Sequence, residues 1–457
     1  MLTLATLVIG VLAVLSLACG AQAAEGPADL VRSPDLGGGA GGALPAGWAA
    51  WGPAWEKARA TVRATAGGIL VEAPNEAYAV GGAEQFLGGV KGGQAYAVEA
   101  VAEARGIATP ERSLLVRLTW LRGKEPVTPA GMLAKQMGGT GGLPTSEIAF
   151  KDIFVAPPDA DGARLSLEVK WPEGGSVLWQ RASVRPTAAP PARKVKVGAV
   201  YLRPKGTTPD ENLELFAAKV DEAGKLGLDI VCLGESIRLV GTGTTMAEVA
   251  EPNPGPSTER LGAAARKNRL WVIAGLTERD GGRLYNTAVL LDREGRLAGK
   301  YRKIHLPREE WLQGVVPGGE YPVFKTDFGT IAIQICYDWF FPEPASIFAL
   351  RGAEILFAPT WGDTLADPDD GRAFGETTFR TRAKDNGLYL VPSVYDGQSM
   401  VIDPMGRIVA ANKGKEGVFW AEIDLAAREL YPWVGWWRSI GPRDRMPETY
   451  GGMTERK

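Results

Sequence analysis

A chain of 457 residues is too long for one ordinary core, so two folded units are expected. Hydrophobic residues at 45% and charged residues at 23% exclude a disordered or fibrous protein. A formal charge of -2 without a long Lys/Arg run excludes a nucleic-acid footprint and a polybasic membrane surface, which leaves a small or weakly charged partner. Residues 1–24 form a nearly uncharged apolar stretch ending in small residues, with no basic side chain before Arg32, and read as an export signal. Two exits compete: cleavage after Ala21-Gln22-Ala23, giving a soluble periplasmic or secreted protein, or lipid attachment at Cys19. Without Cys19 the chain keeps only Cys232 and Cys336, too few for a disulfide scaffold, so at least one thiol is expected to have another use.

Residues 25–45 are rich in Gly, Ala and Pro and are expected to bury little, as a flexible spacer. Over residues 46–186 the apolar residues alternate. Val116, Leu118 and Trp120 interleave with Arg117 and Thr119, and Leu165, Leu167, Val169 and Trp171 interleave with Ser166, Glu168 and Lys170. Period two means half-buried strands, and their Gly-rich and Pro-rich turns favour an all-β, jelly-roll-like sandwich. The run from Gly47-Trp48 through GGQAY to GGSVLWQRASV resembles the non-catalytic β-sandwich modules that accompany carbohydrate-active enzymes. That resemblance implies a glycan contact through Trp48, Trp51 and Trp55, against which stands ordinary core packing of the same tryptophans.

Three prolines in residues 186–193 mark a stiff linker, placed at 187–193, after which the period changes. VKVGAVYL is a short buried-strand run, and ENLELFAAKVDEAGKLG puts Leu213, Phe216, Ala217 and Val220 on one helical face. LDIVCLGE follows as another strand. Strand, helix and strand at this spacing predict an α/β domain over residues 194–457.

Three segments of that domain put a reactive side chain at or beyond the end of an apolar strand: LDIVCLGES with Glu235, GKYRKIHLP with Lys303 and TIAIQICYDWFFPE with Cys336. The run Thr330–Ile335 predicts a buried strand with the thiol at its end, and PEPASIFALRGAE predicts a helix with Pro344 in its first turn and Gly352 at its stop. A helix start and a nearby ammonium both lower a thiol pKa from its ordinary value of about 8.5, so Cys336 is expected partly as thiolate near neutral pH. An inert buried cysteine is the alternative, and it is the expectation for Cys232 in its strand interior.

The order Glu, Lys, Cys within these surroundings, followed by RTRAKDNGLYLVPS, MVIDPMGRIV and RMPETY, resembles the nitrilase (carbon-nitrogen hydrolase) superfamily over residues 194 to about 450. The resemblance implies a four-layer α-β-β-α sandwich. It implies Cys336 as nucleophile, Glu235 as proton carrier, Lys303 as oxyanion stabiliser with the Tyr337 N–H as second donor, and Glu310, with Glu309 as rival, as a second glutamate orienting the lysine or the substrate. Trp339 and Trp361, with Trp311, Tyr337 and Phe340, are expected to line an acyl pocket. His305, the single histidine, excludes multi-His metal sites and could form a Cys-His dyad; the resemblance makes it a shaper of the lysine loop. No CxxC pair, HExxH or phosphate-binding glycine loop appears, so neither a metal nor a cofactor is implied. The implied activity is hydrolysis of a small amide or N-carbamoyl substrate through a Cys thioester, with nitriles less favoured. Amine acyl transfer from the same thioester, or a glycan-binding exported protein with an inactive hydrolase domain, are the alternatives, and pairing into a homo-oligomer is a further expectation.

Overall fold

The computed structural model describes residues 28–455 apart from 39–41, 75, 128–131, 134–135, 138–146, 363–373, 432–434 and 443. The expected export segment and Cys19 lie outside the described residues.

The N-terminal region contains two six-stranded sheets, with every pairing within them antiparallel. One is built around Val80–Gly88, Gly162–Lys170 and Leu114–Arg122, the other around Ser176–Thr187, Ala95–Arg105 and Glu147–Val155. Alternation makes this possible: Ile148, Phe150 and Phe154 point inward from the last strand while Lys151 and Val155 stay exposed. Both sheets contribute to one core, where Tyr96 of the second meets Trp120 of the first with ring centroids 5.7 Å apart.

Two expectations are corrected. The segment read as a spacer is not idle from residue 28 onward, since Val31 and Leu36 are buried in this core and Leu30 and Leu44 pack against it. Glycine-rich composition concealed these four aliphatic anchors. Trp48 is likewise taken by the core, with its indole N–H donated to the Arg32 carbonyl at 3.1 Å, so the three N-terminal tryptophans do not form one open stacking face; only Trp55 is fully exposed. Pro186 and Thr187 still belong to the last strand, and the exposed connection begins at residue 188.

Beyond it lies an α/β region with two further six-stranded sheets. The first runs Leu297–Arg302, Arg283–Leu291, Trp271–Asp280, Ile230–Cys232, Lys194–Tyr201, Gly417–Asp424, and the second Val323–Lys325, Thr330–Ile333, Ile355–Gly362, Tyr389–Asp396, Met400–Ile402, Ile408–Ala411. The central pairings are parallel in both. Val197, Ile230, Cys232 and Ile273 of the first sheet share a core with Ile333, Phe357, Val391 and Ile402 of the second. The helices Pro209–Lys225 and Pro256–Asn268 cover another core with Phe216, Val220, Leu261 and Ala265, while Phe348 and Phe379 of Pro342–Leu350 and Phe374–Asn386 join the core shared by the sheets. The helix read from Glu211 starts two residues earlier, at Pro209, with a Thr208/Glu211 capping box and proline at its first position.

The chain after Asp424 returns to the N-terminal sheets. Arg428 reaches Asp152 through two hydrogen bonds of 2.8 and 2.7 Å and lies 4.6 Å from the Trp436 ring centroid; Leu430 packs on the sandwich core. Lys170 bonds Asp444 at 2.8 Å and Arg112 pairs with Glu448. Asp152→Ala strands the Arg428 guanidinium without its bidentate carboxylate and is expected to cost about 1–3 kcal/mol in urea unfolding. A chain reduced to residues 194–457 should be cut by trypsin at Arg428 under conditions that leave the full chain intact there. Equal resistance of the two would show that the tail is held by the α/β region alone.

Candidate active site

Glu235 stands three residues beyond the last residue of strand Ile230–Cys232 and is 2% exposed. Its backbone passes so close to the neighbouring strand that a Cβ on Gly275 would lie 2.6 Å from the Glu235 Cα, which is why that position is glycine. The Tyr395 hydroxyl donates to the Glu235 carbonyl at 2.7 Å. Oε1 of Glu235 accepts from Asn286 Nδ2 at 2.7 Å and Lys303 Nζ at 3.0 Å, and Oε2 accepts from the Trp361 N–H at 2.6 Å.

Lys303 follows strand Leu297–Arg302 and is 1% exposed. Its ammonium also donates to Glu310 Oε1 at 2.5 Å. Burial disfavours the ammonium, yet the charge of Glu235, with Cys336 and Glu310 after it, outweighs that and raises the lysine pKa. The neighbouring cations are committed elsewhere: Lys300 and Arg302 both pair with buried Glu278. This separates Lys303 from the basic cluster in which it lies in sequence.

Glu310 sits on the single turn Arg308–Trp311; Glu309 beside it is exposed and faces away. Burial pushes the Glu310 carboxyl well above the usual carboxylate range, Lys303 opposes this and the Glu235 charge adds to it. Its Oε2 is buried with no hydrogen-bond partner among the described residues.

Cys336 ends the strand run and opens the 3-10 turn Cys336–Phe340 with φ of +42°, in the left-handed region that disfavours a side chain. Asp338 braces this turn. Its Oδ2 accepts from the Ile335 N–H at 3.0 Å and from the Tyr301 hydroxyl at 2.8 Å, and its Oδ1 takes both the His305 N–H and ring Nδ1 at 2.9 Å. His305 also stacks on Phe341 at 4.1 Å, so the ring is held by the loop around Asp338. The backbone N–H groups of Gly362 and Trp361 reach the Cys336 sulfur, and Gly362 has φ of +109° with a Cβ there 2.3 Å from the Asp396 carbonyl oxygen, which is why that position is glycine.

The surroundings work against the expected thiolate. Burial first and the Glu235 charge second push the Cys336 thiol up to about 12, more than Lys303 and the two N–H groups pull it down. The helix expected to help begins at Pro342, six residues on, with Pro344 in its first turn as expected. Cys232 is fully buried and burial raises its thiol pKa strongly.

The pocket aromatics divide. Trp361 acts through its backbone, while its ring meets Tyr395 edge-on at 5.5 Å. Tyr337 packs on Phe340 and Phe341. Trp339, expected to line an acyl pocket, is a core side chain, 2% exposed, stacked on Phe340 and tilted against Phe379; strand-end aromatics with a helix packed over them close cores. Phe340 and Trp311 are exposed. Asn286, Asp338, Tyr301 and Tyr395 were not singled out from sequence, although Asp338 stood inside the quoted motif and Asn286 is a polar residue in a strand otherwise buried from residue 285 onward. Among the described residues no group of three or more His, Cys, Asp or Glu side chains could hold a metal ion.

The carbon-nitrogen hydrolase family profile matches residues 196–432. Omega-amidase NIT2 of Mus musculus is 32% identical over 234 residues, 47% of this chain and 83% of that protein. A nitrilase of Pyrococcus abyssi is 34% identical over 250 residues, 50% of this chain and 90% of its own length. The crystal structure of Saccharomyces cerevisiae Nit3, a member of branch 10 of the nitrilase superfamily, aligns with a TM-score of 0.45 and 28% identity, covering 50% of this chain and 90% of that one. With half of its length matched by the family profile and most of each relative's length covered, the chain belongs to the carbon-nitrogen hydrolase family of the nitrilase superfamily.

Proposed function

We propose that this protein hydrolyses the C–N bond of a small amide, with ω-amides and N-carbamoyl compounds as the first substrate classes to examine, through a thioester on Cys336. The observation that carries the reading is Lys303, a buried ammonium held between Glu235 and Glu310 beside a cysteine at positive φ. Likeness to the mouse omega-amidase supports the substrate class.

Because the resting thiol is protonated, attack and deprotonation are coupled. The sulfur adds to the carbonyl carbon as its proton passes to a Glu235 oxygen. The carbonyl π electrons collect on oxygen, which Lys303 and the Tyr337 N–H stabilise. Glu235 returns the proton to nitrogen, the C–N bond breaks, and ammonia or an amine leaves. Water then adds to the thioester carbon while giving a proton to Glu235; collapse releases the carboxylic acid and restores the thiol. Glu310, with one buried oxygen unpartnered, orients the reacting nitrogen. His305 shapes the lysine loop through Asp338.

The same reading takes the catalytic region, residues 194–457, as a four-layer α-β-β-α sandwich and residues 46–186 as a jelly-roll-like module. The apolar segment at residues 1–24 supports export.

Cys336→Ala should abolish ammonia release from the best amide of a substrate panel while leaving the circular dichroism spectrum intact. Lys303→Ala and Glu235→Gln should each lower turnover by about 10²- to 10⁴-fold; full activity in any of the three removes that residue from the mechanism. Iodoacetamide should label Cys336 slowly near neutral pH and faster as the pH rises, with substrate protecting, and should reach Cys232 only on unfolding. Rapid labelling of Cys336 at pH 6 would contradict the protonated resting thiol. Since Glu310 is needed ionised and its pKa is raised, kcat/KM should fall as the pH drops through the neutral range rather than near pH 4.

A further inference from the structure

Asn286 lies inside strand Arg283–Leu291, 1% exposed, and its side chain enters the site from below both carboxylates. Its Nδ2 donates to Glu235 Oε1 at 2.7 Å and to Glu310 Oε1 at 3.0 Å. The same two oxygens accept from Lys303 Nζ at 3.0 and 2.5 Å. Two donor nitrogens and two acceptor oxygens therefore alternate around a closed four-membered ring. A primary amide has two N–H bonds, and both are used, one on each carboxylate. The amide cannot be turned over, because its oxygen would then face two carboxylate oxygens. Its backbone joins the same construction: the Asn286 carbonyl accepts from the Lys303 N–H at 2.9 Å.

The ring decides what remains open. Each Oε1 is engaged twice and Glu235 Oε2 has the Trp361 N–H, so Glu310 Oε2 is the one oxygen of the two carboxylates that is buried without a partner among the described residues; the Asn286 Oδ1 is likewise buried and unpartnered there. We propose that Asn286 is a positioning residue of the amide-hydrolysing site. By tying one oxygen of Glu235 and one of Glu310 to a single neutral amide, it holds both carboxylates around Lys303 and leaves Glu310 Oε2 as the one carboxylate oxygen open to the reacting nitrogen. This rests on the roles given above to Glu235, Lys303 and Cys336.

The residue type follows from charge. The groups facing Glu310 are Lys303 and Glu235, with Cys336 beyond them and Arg308 and Glu309 exposed to solvent on its own turn. A second cation in place of Asn286 would compete with Lys303, and a third carboxylate would drive a proton onto the cluster. An apolar residue would leave two like charges sharing one ammonium. An amide supplies donors without altering the net charge, and its bond to Glu310 favours the ionised carboxylate.

The full chain is assayed by ammonia release on the best primary amide, with kcat/KM followed against pH for the wild type, Asn286→Leu, Asn286→Asp and, as a structural control, Thr287→Val. Thr287 is the next residue in the strand, buried and bonded to Glu278 at 2.8 Å, outside the ring. Both Asn286 variants should raise the midpoint of the acid limb by about one pH unit or more and lower turnover below it, because the ionised form of Glu310 loses a donor. Thr287→Val should lower thermal stability and leave the midpoint in place. A midpoint unmoved in a folded Asn286 variant, with turnover reduced evenly at all pH values, means a merely structural role and overturns the proposal. Asn286→Asp keeps the native side-chain shape and carries the test if Asn286→Leu does not fold; failure of both to fold assigns Asn286 to the core and also overturns it. A wild type that turns over no amide defeats the underlying reading first, so the two failures are distinct.

Discussion

One buried ammonium organises this site. Lys303 is removed from water, a position that a lone charge can hold only if compensating groups surround it. Two carboxylates do so, but two against one leaves surplus negative charge: burial is the main cause of the raised Glu310 carboxyl and of the raised thiol beside it, and the Glu235 charge adds to it in both. A new charge on sulfur would add to that surplus. On the proposed mechanism this is why deprotonation must be internal: moving the proton from Cys336 to Glu235 leaves the charge of the cluster unchanged, and the carbonyl receives the sulfur electrons as they become available. A standing thiolate would require the cluster to hold one more negative charge in a medium that screens it poorly.

The backbone is shaped around the same cluster. Glu235 and Cys336 come from different sheets, each just beyond a short parallel strand, and each lies at or next to a residue at positive φ, Ser236 and Cys336 at +42°. Such conformations persist only where neighbours over-determine them. Here the Asp338 carboxylate, with four donors, fixes the turn at Cys336, and the glycine at 275 lets the opposing strand close against Glu235. Strand Ile355–Gly362 links the halves, since the Trp361 N–H bonds Glu235 and also reaches the Cys336 sulfur.

Much of this was legible in the sequence. Strand-end placement, the apolar face of helix Pro209–Lys225 and the core position of Cys232 follow from periodicity, and the Glu, Lys and Cys segments announced themselves by order and surroundings. What was not legible depends on contacts between distant residues. Asn286 meets Glu235 across 51 positions, and nothing in its strand distinguishes it from a buried asparagine satisfied locally. The upward push on the Cys336 thiol comes from burial and from the nearby Glu235 charge, quantities that a helix-start pattern does not contain. Val31 and Leu36 were hidden because a low apolar fraction says how much a segment can bury, and not whether the few apolar side chains it has find a core.

The joint between the two regions shows the same limit. An exposed proline-rich stretch from residue 188 reads as a stiff spacer, and by itself would let the sandwich reorient. Yet the chain crosses between the regions twice, and the crossings start side by side: Lys194 pairs with Asp424 at the end of two adjacent strands, and the Arg193 N–H bonds the Asp424 carboxylate at 2.8 Å. From Asp424 the tail runs back to the sandwich, where Arg428 is gripped by Asp152 and Leu430 is packed. A single tether permits rotation about its length, whereas two anchored crossings with a bidentate pair and an apolar contact on the return path oppose it. The sandwich is thus coupled to the hydrolase region through the strand that closes the first catalytic sheet, a sheet edge rather than a free linker.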